Sequence, residues 1–275
     1  MTTAGIGAMA AEGRAQSRPL QTQDPTPVGL GQMLIDLGVD YHRDEFYPVS
    51  GLAGNLTKWG TFDLSFGVSS IAEIQLNGGF YNRLIITSRS AAPLASLVTA
   101  PADSTGDVED GAIGAKVRFH AESARSPALA VRFSTRLPNS KHPSGLGLDT
   151  TDFYFGILTG KTVGGWRVAG NLGLGILNDP VQDGIQNDVL TYGGSVTRRL
   201  TPALEATADV NGRADTRHNT PPIGTESRAV WHAGVRCGRD AVRFDVAVLG
   251  GLTSRDPTWG ITSGVTWVFH AFAIQ

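Results

Sequence analysis

From Leu30 to His270 the chain alternates apolar and polar residues in runs of roughly ten, repeated about a dozen times, which is the signature of strands with two unlike faces. Residues 241–249 show it most cleanly. Val242, Phe244, Val246 and Val248 lie on one face, and Arg243, Asp245 and Ala247 on the other. A soluble sheet would not bury that Arg and Asp, so the apolar face is expected to meet hydrocarbon and the polar face water.

The first predicted strand runs from Leu30 to His42, with Met33, Ile35, Leu37, Val39 and Tyr41 opposing Leu34, Asp36, Asp40 and His42. A loop holding Pro48 and Gly51 follows. The second strand sets Phe62, Leu64, Phe66 and Val68 against Asp63 and Ser65. After a turn at Ser69 and Ser70, the third sets Ile74, Leu76, Phe80, Leu84 and Ile86 against Glu73, Gln75, Asn77 and Arg83. The stretch from Arg89 to Asp110 reads as the longest loop, without periodic structure. Strands four and five, Ala112 to His120 and Ala128 to Leu137, place Lys116, Arg118, Arg132 and Arg136 on their polar faces. Turns at Gly164 and Gly165, at Thr201 and Pro202, and over residues 238–240 join the later pairs, and the last strand runs from Trp259 to His270.

Connections are expected short after even-numbered strands and longer after odd-numbered ones. Outer-membrane barrels have such an asymmetry, together with an even strand number. A sheet of this length also needs closure, because open edges find no partner in lipid. The fold class expected is therefore all-β: a transmembrane antiparallel up-and-down β-barrel of about twelve strands. Residues 1–28 are expected as a flexible N-terminal leader and residues 29–275 as the barrel. No charged start and apolar stretch of a secretory signal stands in Met1 to Gln23, and a true start upstream of Met1 would explain that. Trp59, Trp166, Trp231, Trp259 and Trp267 are expected near strand ends, as an interfacial belt requires.

Composition narrows the function classes. Glycine accounts for 35 of 275 residues and charged residues for 17%, which suits close-packed strands better than a helical enzyme. A net charge of -2 gives no nucleic-acid signature. Cys237 is the single cysteine, and neither a zinc spacing nor a cofactor motif accompanies it, so no metal and no cofactor is expected. Asp103, Asp107, Glu109 and Asp110 lack calcium-loop spacing, and Gly29 with Gly31 lacks the remainder of a dinucleotide fingerprint.

The string from Thr262 through Gly264 and Trp267 to Phe269 resembles the C-terminal assembly signal of outer-membrane barrels, although the chain continues to Gln275. Its other reading is an ordinary amphipathic strand. Residues 135–177 carry Leu137-Pro138, glycines from Gly145 to Gly147, Asp152, and Asn171 to Gly173. With the hairpin from Phe62 to Leu76, this pattern resembles the family of outer-membrane transporters linked to phenol meta-pathway degradation. The resemblance implies a barrel, an outer-membrane location and passage of small, often hydrophobic compounds. It supplies no catalytic residues.

The polar faces supply the candidate site: Asp36, Asp63, Glu73, Lys116, Arg118, Arg132, Arg136, Asp152, Arg167 and Arg243, lining a charged lumen that passes or binds small solutes. Arg213, Arg236, Asp40, Glu205, Asp209 and Asp245 are placed inward with them. A basic wall on strands four and five facing acidic strands one to three would orient a solute. Alternatively, the charges pair and plug the barrel. A lipid-modifying enzyme is the other alternative, but no histidine pairs with an outward serine, so no enzyme is expected. The partners expected are outer-membrane lipid, the barrel-assembly machinery through Gly264, Trp267 and Phe269, and a small-molecule solute, without nucleic acid.

Overall fold

The computed structural model describes residues 18–239 and 241–272. Its strands are β1 (Gln32–Tyr47), β2 (Leu52–Gly67), β3 (Ala72–Arg89), β4 (Ser104–Asp107), β5 (Ala112–His120), β6 (Ala128–Arg136), β7 (Asp152–Val163), β8 (Trp166–Asn178), β9 (Gln186–Thr201), β10 (Leu204–Asp215), β11 (Arg228–Arg239), β12 (Val242–Gly251) and β13 (Trp259–His270). Every paired strand is antiparallel to its neighbour, and β13 returns to β1 with Leu37 opposite Val265, so the sheet closes. The barrel has 12 strands. The short β4 is an added piece, pairing with Asn82–Ile85 of β3 beyond the end of β5.

Burial is inverted relative to a soluble protein. The largest fully buried side chain is Lys116, while Phe80, Phe244 and Leu172 are 66%, 62% and 58% exposed on the outer wall. Apolar residues cover the exterior over its circumference, far beyond the patches that water-soluble monomers tolerate, and this is the face a membrane requires. No helix among the described residues is long and apolar enough to cross a membrane.

The first three strands differ from expectation. They run well past the hydrocarbon zone, and β1 joins β2 through residues 48–51 alone, so the connection after the first strand is short. Gly60 adopts φ +68°, interrupts the β1–β2 register between Thr61 and Trp59, and reverses which parity faces inward. Lys58 and Leu56 therefore face the lumen on one side of it, and Thr61 and Asp63 on the other. On the facing stretch of β3 the parity reverses as well. Leu84, expected outward, is fully buried against Leu52 and Leu56, Ile86 packs beside them, and Arg83, expected inward, is exposed. A strict two-residue alternation cannot register such a bulge. The loop between β3 and β5 contains β4 and a 3-10 turn at Ala95–Leu97, where no periodic structure was expected. Trp59 sits at the middle of the 16-residue β2 rather than near its end.

Candidate functional site in the barrel lumen

The lumen is occupied by a segment of the chain that precedes β1. Residues 18–28, expected as part of a leader, run inside the barrel and bond to most of its wall; residues 1–17 of that leader lie outside the described residues. Arg18 enters beside β1 and β13, its Nη2 donating to Thr262 Oγ1 at 2.7 Å and lying 3.4 Å from Asp40 Oδ1. Arg236 Nε holds the Arg18 carbonyl at 2.6 Å. Across the lumen, Asp209 Oδ2 accepts the backbone N–H groups of Gln21 and Thr22, both at 2.9 Å, while its Oδ1 meets His232 Nδ1 at 2.9 Å. Asn171 exchanges two hydrogen bonds with the Gln23 backbone, at 2.7 and 2.8 Å. Asp24 takes a two-point contact from Arg167, and Val28 N donates to Glu73. The segment thus satisfies its backbone on side chains of the wall, because it has no sheet partner of its own.

Inward glycines give it room. Gly38 and Gly264 face each other across β1 and β13, and a Cβ on them would stand 2.3 Å from Arg18 Cζ and 2.6 Å from Arg18 Nε. A Cβ on Gly160 would meet Pro25 at 2.9 Å, and one on Gly193 would meet Thr22 Oγ1 at 2.9 Å. Some of the glycine excess seen in composition is therefore a track for this segment.

All ten residues expected in the lumen point inward, but they gather in separate groups. Glu73 and Lys116 form a fully buried pair at 2.9 Å, and Lys116 also donates to the Asp24 carbonyl at 3.0 Å. Arg132 Nε donates to Gln75 at 2.6 Å, and Gln75 to Glu73 at 2.7 Å. Asp36 and Asp63 stand opposite each other on β1 and β2, with Thr266 donating to Asp36. Arg136 holds Asp152 at 2.5 Å, nearer the long loops. Arg118 reaches the Ser70 carbonyl at the short-turn rim, where Arg243 lies 3.8 Å from Glu205. Arg167 binds Asp24 and Glu122 together.

Above the internal segment lies a cavity of about 560 Å³, with Gln21 on its floor and Val49, Leu148, Gly224 and Asp256 among its loop contacts. A smaller cavity of about 350 Å³ adjoins it, bordered by Gln23, Asn77, Arg132 and Arg136. Ser50 Oγ donates to the Gly145 carbonyl at 2.6 Å, and Thr105 Oγ1 to the Ser144 carbonyl at 2.7 Å, tying the covering loops together. Asp209 was placed inward without its partners Gln21 and Thr22, and Arg18 and Asp24 were absent from the sequence-based set. Their one sequence signal was an isolated Asp between Gln23 and Pro25 in a proline-rich stretch, stiff enough to hold a fixed course.

A closed wall of twelve strands, apolar outside and charged inside, fits one kind of architecture. The fold is that of an outer-membrane β-barrel. The COG4313 outer membrane channel from Pseudomonas putida F1 superposes with a TM-score of 0.59 at 13% identity, covering 90% of this chain and 98% of that one. The NanC porin superposes at 0.52 with 8% identity, covering 84% and 98%. No family model matches the chain, and no curated protein matches it. LpxR from Salmonella typhimurium, an outer-membrane enzyme, is also among the similar barrels, with a TM-score of 0.42 at 11% identity over 86% of this chain and 100% of that one. The expectation that the chain is not an enzyme is withdrawn, because superpositions at 13% and 8% identity show the fold alone and do not establish enzyme status.

Proposed function

We propose that this barrel passes small solutes across the bacterial outer membrane through its lumen, with residues 18–28 as an internal constriction that shifts during passage. The observation that carries this reading is a charged lumen holding two adjoining cavities, of about 560 and 350 Å³, rather than a packed core. Structural barrels of small diameter fill their interior with side chains. Here a separable segment does the filling, held by hydrogen bonds and ion pairs that exchange more readily than interlocked apolar packing. The resemblance to phenol meta-pathway transporters supports small, often hydrophobic compounds as the solutes. Insertion by the barrel-assembly machinery belongs to the same reading, with Trp267 and Phe269 stacked at 4.3 Å toward lipid and Gly264 beneath Arg18.

Planar-bilayer conductance tests it. The full chain is expected to give small steps, and a chain lacking residues 1–28 larger ones. Steps whose ion preference changes on Arg132→Glu with Arg136→Glu place the current in the lumen. Silence from both folded forms overturns passage and leaves a plugged barrel.

A further inference from the structure

We propose that the larger cavity is a binding site for a small organic carboxylate, with Arg213 as its anion anchor. This rests on the reading of the lumen as the solute's place, and it names the solute class. Of the other cations bordering the cavity, Arg255 lies over the Phe46 ring with its Cζ 5.7 Å from the centroid, and the rest have acidic partners. Lys58 meets Glu109 at 2.5 Å, Arg136 meets Asp152 at 2.5 Å, and Arg228 lies between Glu45 at 2.8 Å and Asp256 at 2.9 Å. His42 contacts Glu45 and His232 contacts Asp209, each at 2.9 Å.

Arg213 is different: among the described residues no carboxylate lies within ion-pair distance of it. Its Nε donates to the Glu226 carbonyl at 2.9 Å and its Nη2 to the Gly224 carbonyl at 2.8 Å, while among the described residues Nη1 makes no hydrogen bond. Glu226 turns its own carboxylate to the Gly224 N–H at 2.8 Å. Two carbonyls thus fix the plane of the guanidinium and leave one edge presented to the cavity. A sheltered cation without an anion is costly, and a planar fork held in place matches a carboxylate.

The surroundings favour an organic anion over an inorganic one. Leu56, Val230, Leu249 and Tyr154 border the same cavity. The Tyr154 ring lies over Gly175 of β8, where a Cβ would stand 3.2 Å from the ring edge, so the missing side chain lets the ring reach toward β9 and β10. An inorganic ion would leave these apolar surfaces uncovered, whereas an apolar body attached to a carboxylate would cover them.

The test uses the full chain folded in detergent micelles, its folding checked by heat-modifiable gel mobility, and equilibrium dialysis with labelled benzoate. Benzoate is expected to bind one per barrel, about tenfold or more weaker in Arg213→Gln, with part of the affinity kept in Arg213→Lys. Benzamide, its neutral counterpart, is expected to bind about tenfold weaker than benzoate. Unchanged benzoate binding in folded Arg213→Gln, no binding to the unaltered chain, or displacement by chloride or phosphate as effective as by unlabelled benzoate overturns the proposal. Bilayer silence with benzoate binding intact rejects passage alone, and conductance steps without benzoate binding reject this site alone.

Discussion

Asp24 and Arg167 lie 143 positions apart in sequence and meet through two parallel contacts, Nε to Oδ2 at 2.7 Å and Nη2 to Oδ1 at 2.9 Å. The pair is the firmest link between the internal segment and the wall, and Glu122 braces the same guanidinium at 2.6 Å. Removing the Asp24 charge leaves Arg167 paired with Glu122, so the cost falls below the about 3–5 kcal/mol typical of a stranded buried charge. Asp24→Asn is accordingly expected to free the segment locally. Limited proteolysis should then cut within residues 18–28 at a rate at least about tenfold above the unaltered barrel, since even 1.4 kcal/mol of local opening is tenfold. Equal cutting rates would show that Asp24 does not hold it.

Asp209 holds the segment from the opposite side of the lumen, and it does so through backbone N–H groups that no substitution in the segment other than proline would remove. Asp209→Ala leaves the Gln21 and Thr22 donors unpaired and deprives His232 of its acceptor. Each buried donor left without a partner costs about 1–3 kcal/mol. The expected outcome is faster amide exchange at Gln21 and Thr22 with unchanged exchange in the β-barrel wall, read by hydrogen-exchange mass spectrometry. Uniform loosening of the whole barrel would instead assign Asp209 to the wall.

Gly60 decides which residues of β2 face the lumen. Its φ of +68° is disfavoured for L-residues by about 1–2 kcal/mol, and a Cβ there would stand 2.5 Å from Phe80 Cδ2. Gly60→Val is expected to lower the urea midpoint of the folded barrel, and Gly54→Ala, another close approach in the same strand, offers no such positive φ. A midpoint for Gly60→Val matching the unaltered chain would mean that the bulge relaxes without cost.

The same residue marks where the sequence was readable and where it was not. From β5 to β13 the alternation runs unbroken across the lipid zone, so Lys116, Arg132, Asp209 and Asp245 could be assigned inward by parity alone. Between Tyr41 and Leu84 it could not, because Asp44 and Gly60 take positive φ and shift the parity without any change in composition. The wall charges were legible in the same way, but their partners were not. Parity says that Arg167 faces the lumen; it carries no information about a residue that arrives from the segment preceding β1 without strand periodicity. Arg213 was placed inward for the same reason, while its lack of a carboxylate depends on how Glu226 turns in a loop.

Glu73 and Lys116 are both 1% exposed and pair across β3 and β5 at 2.9 Å. Lys116→Met strands Glu73 and is expected to destabilise the folded barrel by about 3–5 kcal/mol, while Lys116→Met with Glu73→Leu should recover most of that loss. Equilibrium unfolding of the two variants in detergent or lipid gives the comparison. No recovery in the double variant would show that Val28 and Gln75, which also bond Glu73, carry the dependence instead.

Leu172 and Val163 test the depth assigned to the outer wall. Both are exposed on the lipid side, at 58% and 61%, but Leu172 lies midway along β8 while Val163 ends β7 at the Gly164–Gly165 turn. A charge facing lipid costs about 2–4 kcal/mol at the bilayer midplane and about 0–1 near its surface. Leu172→Arg is therefore expected to destabilise the barrel by the larger amount and Val163→Arg by the smaller, measured by reversible unfolding in lipid vesicles. The neighbouring Asn171 faces the lumen, so Asn171→Arg should not share the depth penalty of Leu172→Arg; its effect should fall on the Gln23 contacts instead. Equal losses for Leu172→Arg and Val163→Arg would move the membrane boundary, and with it the level at which residues 18–28 cross the lumen.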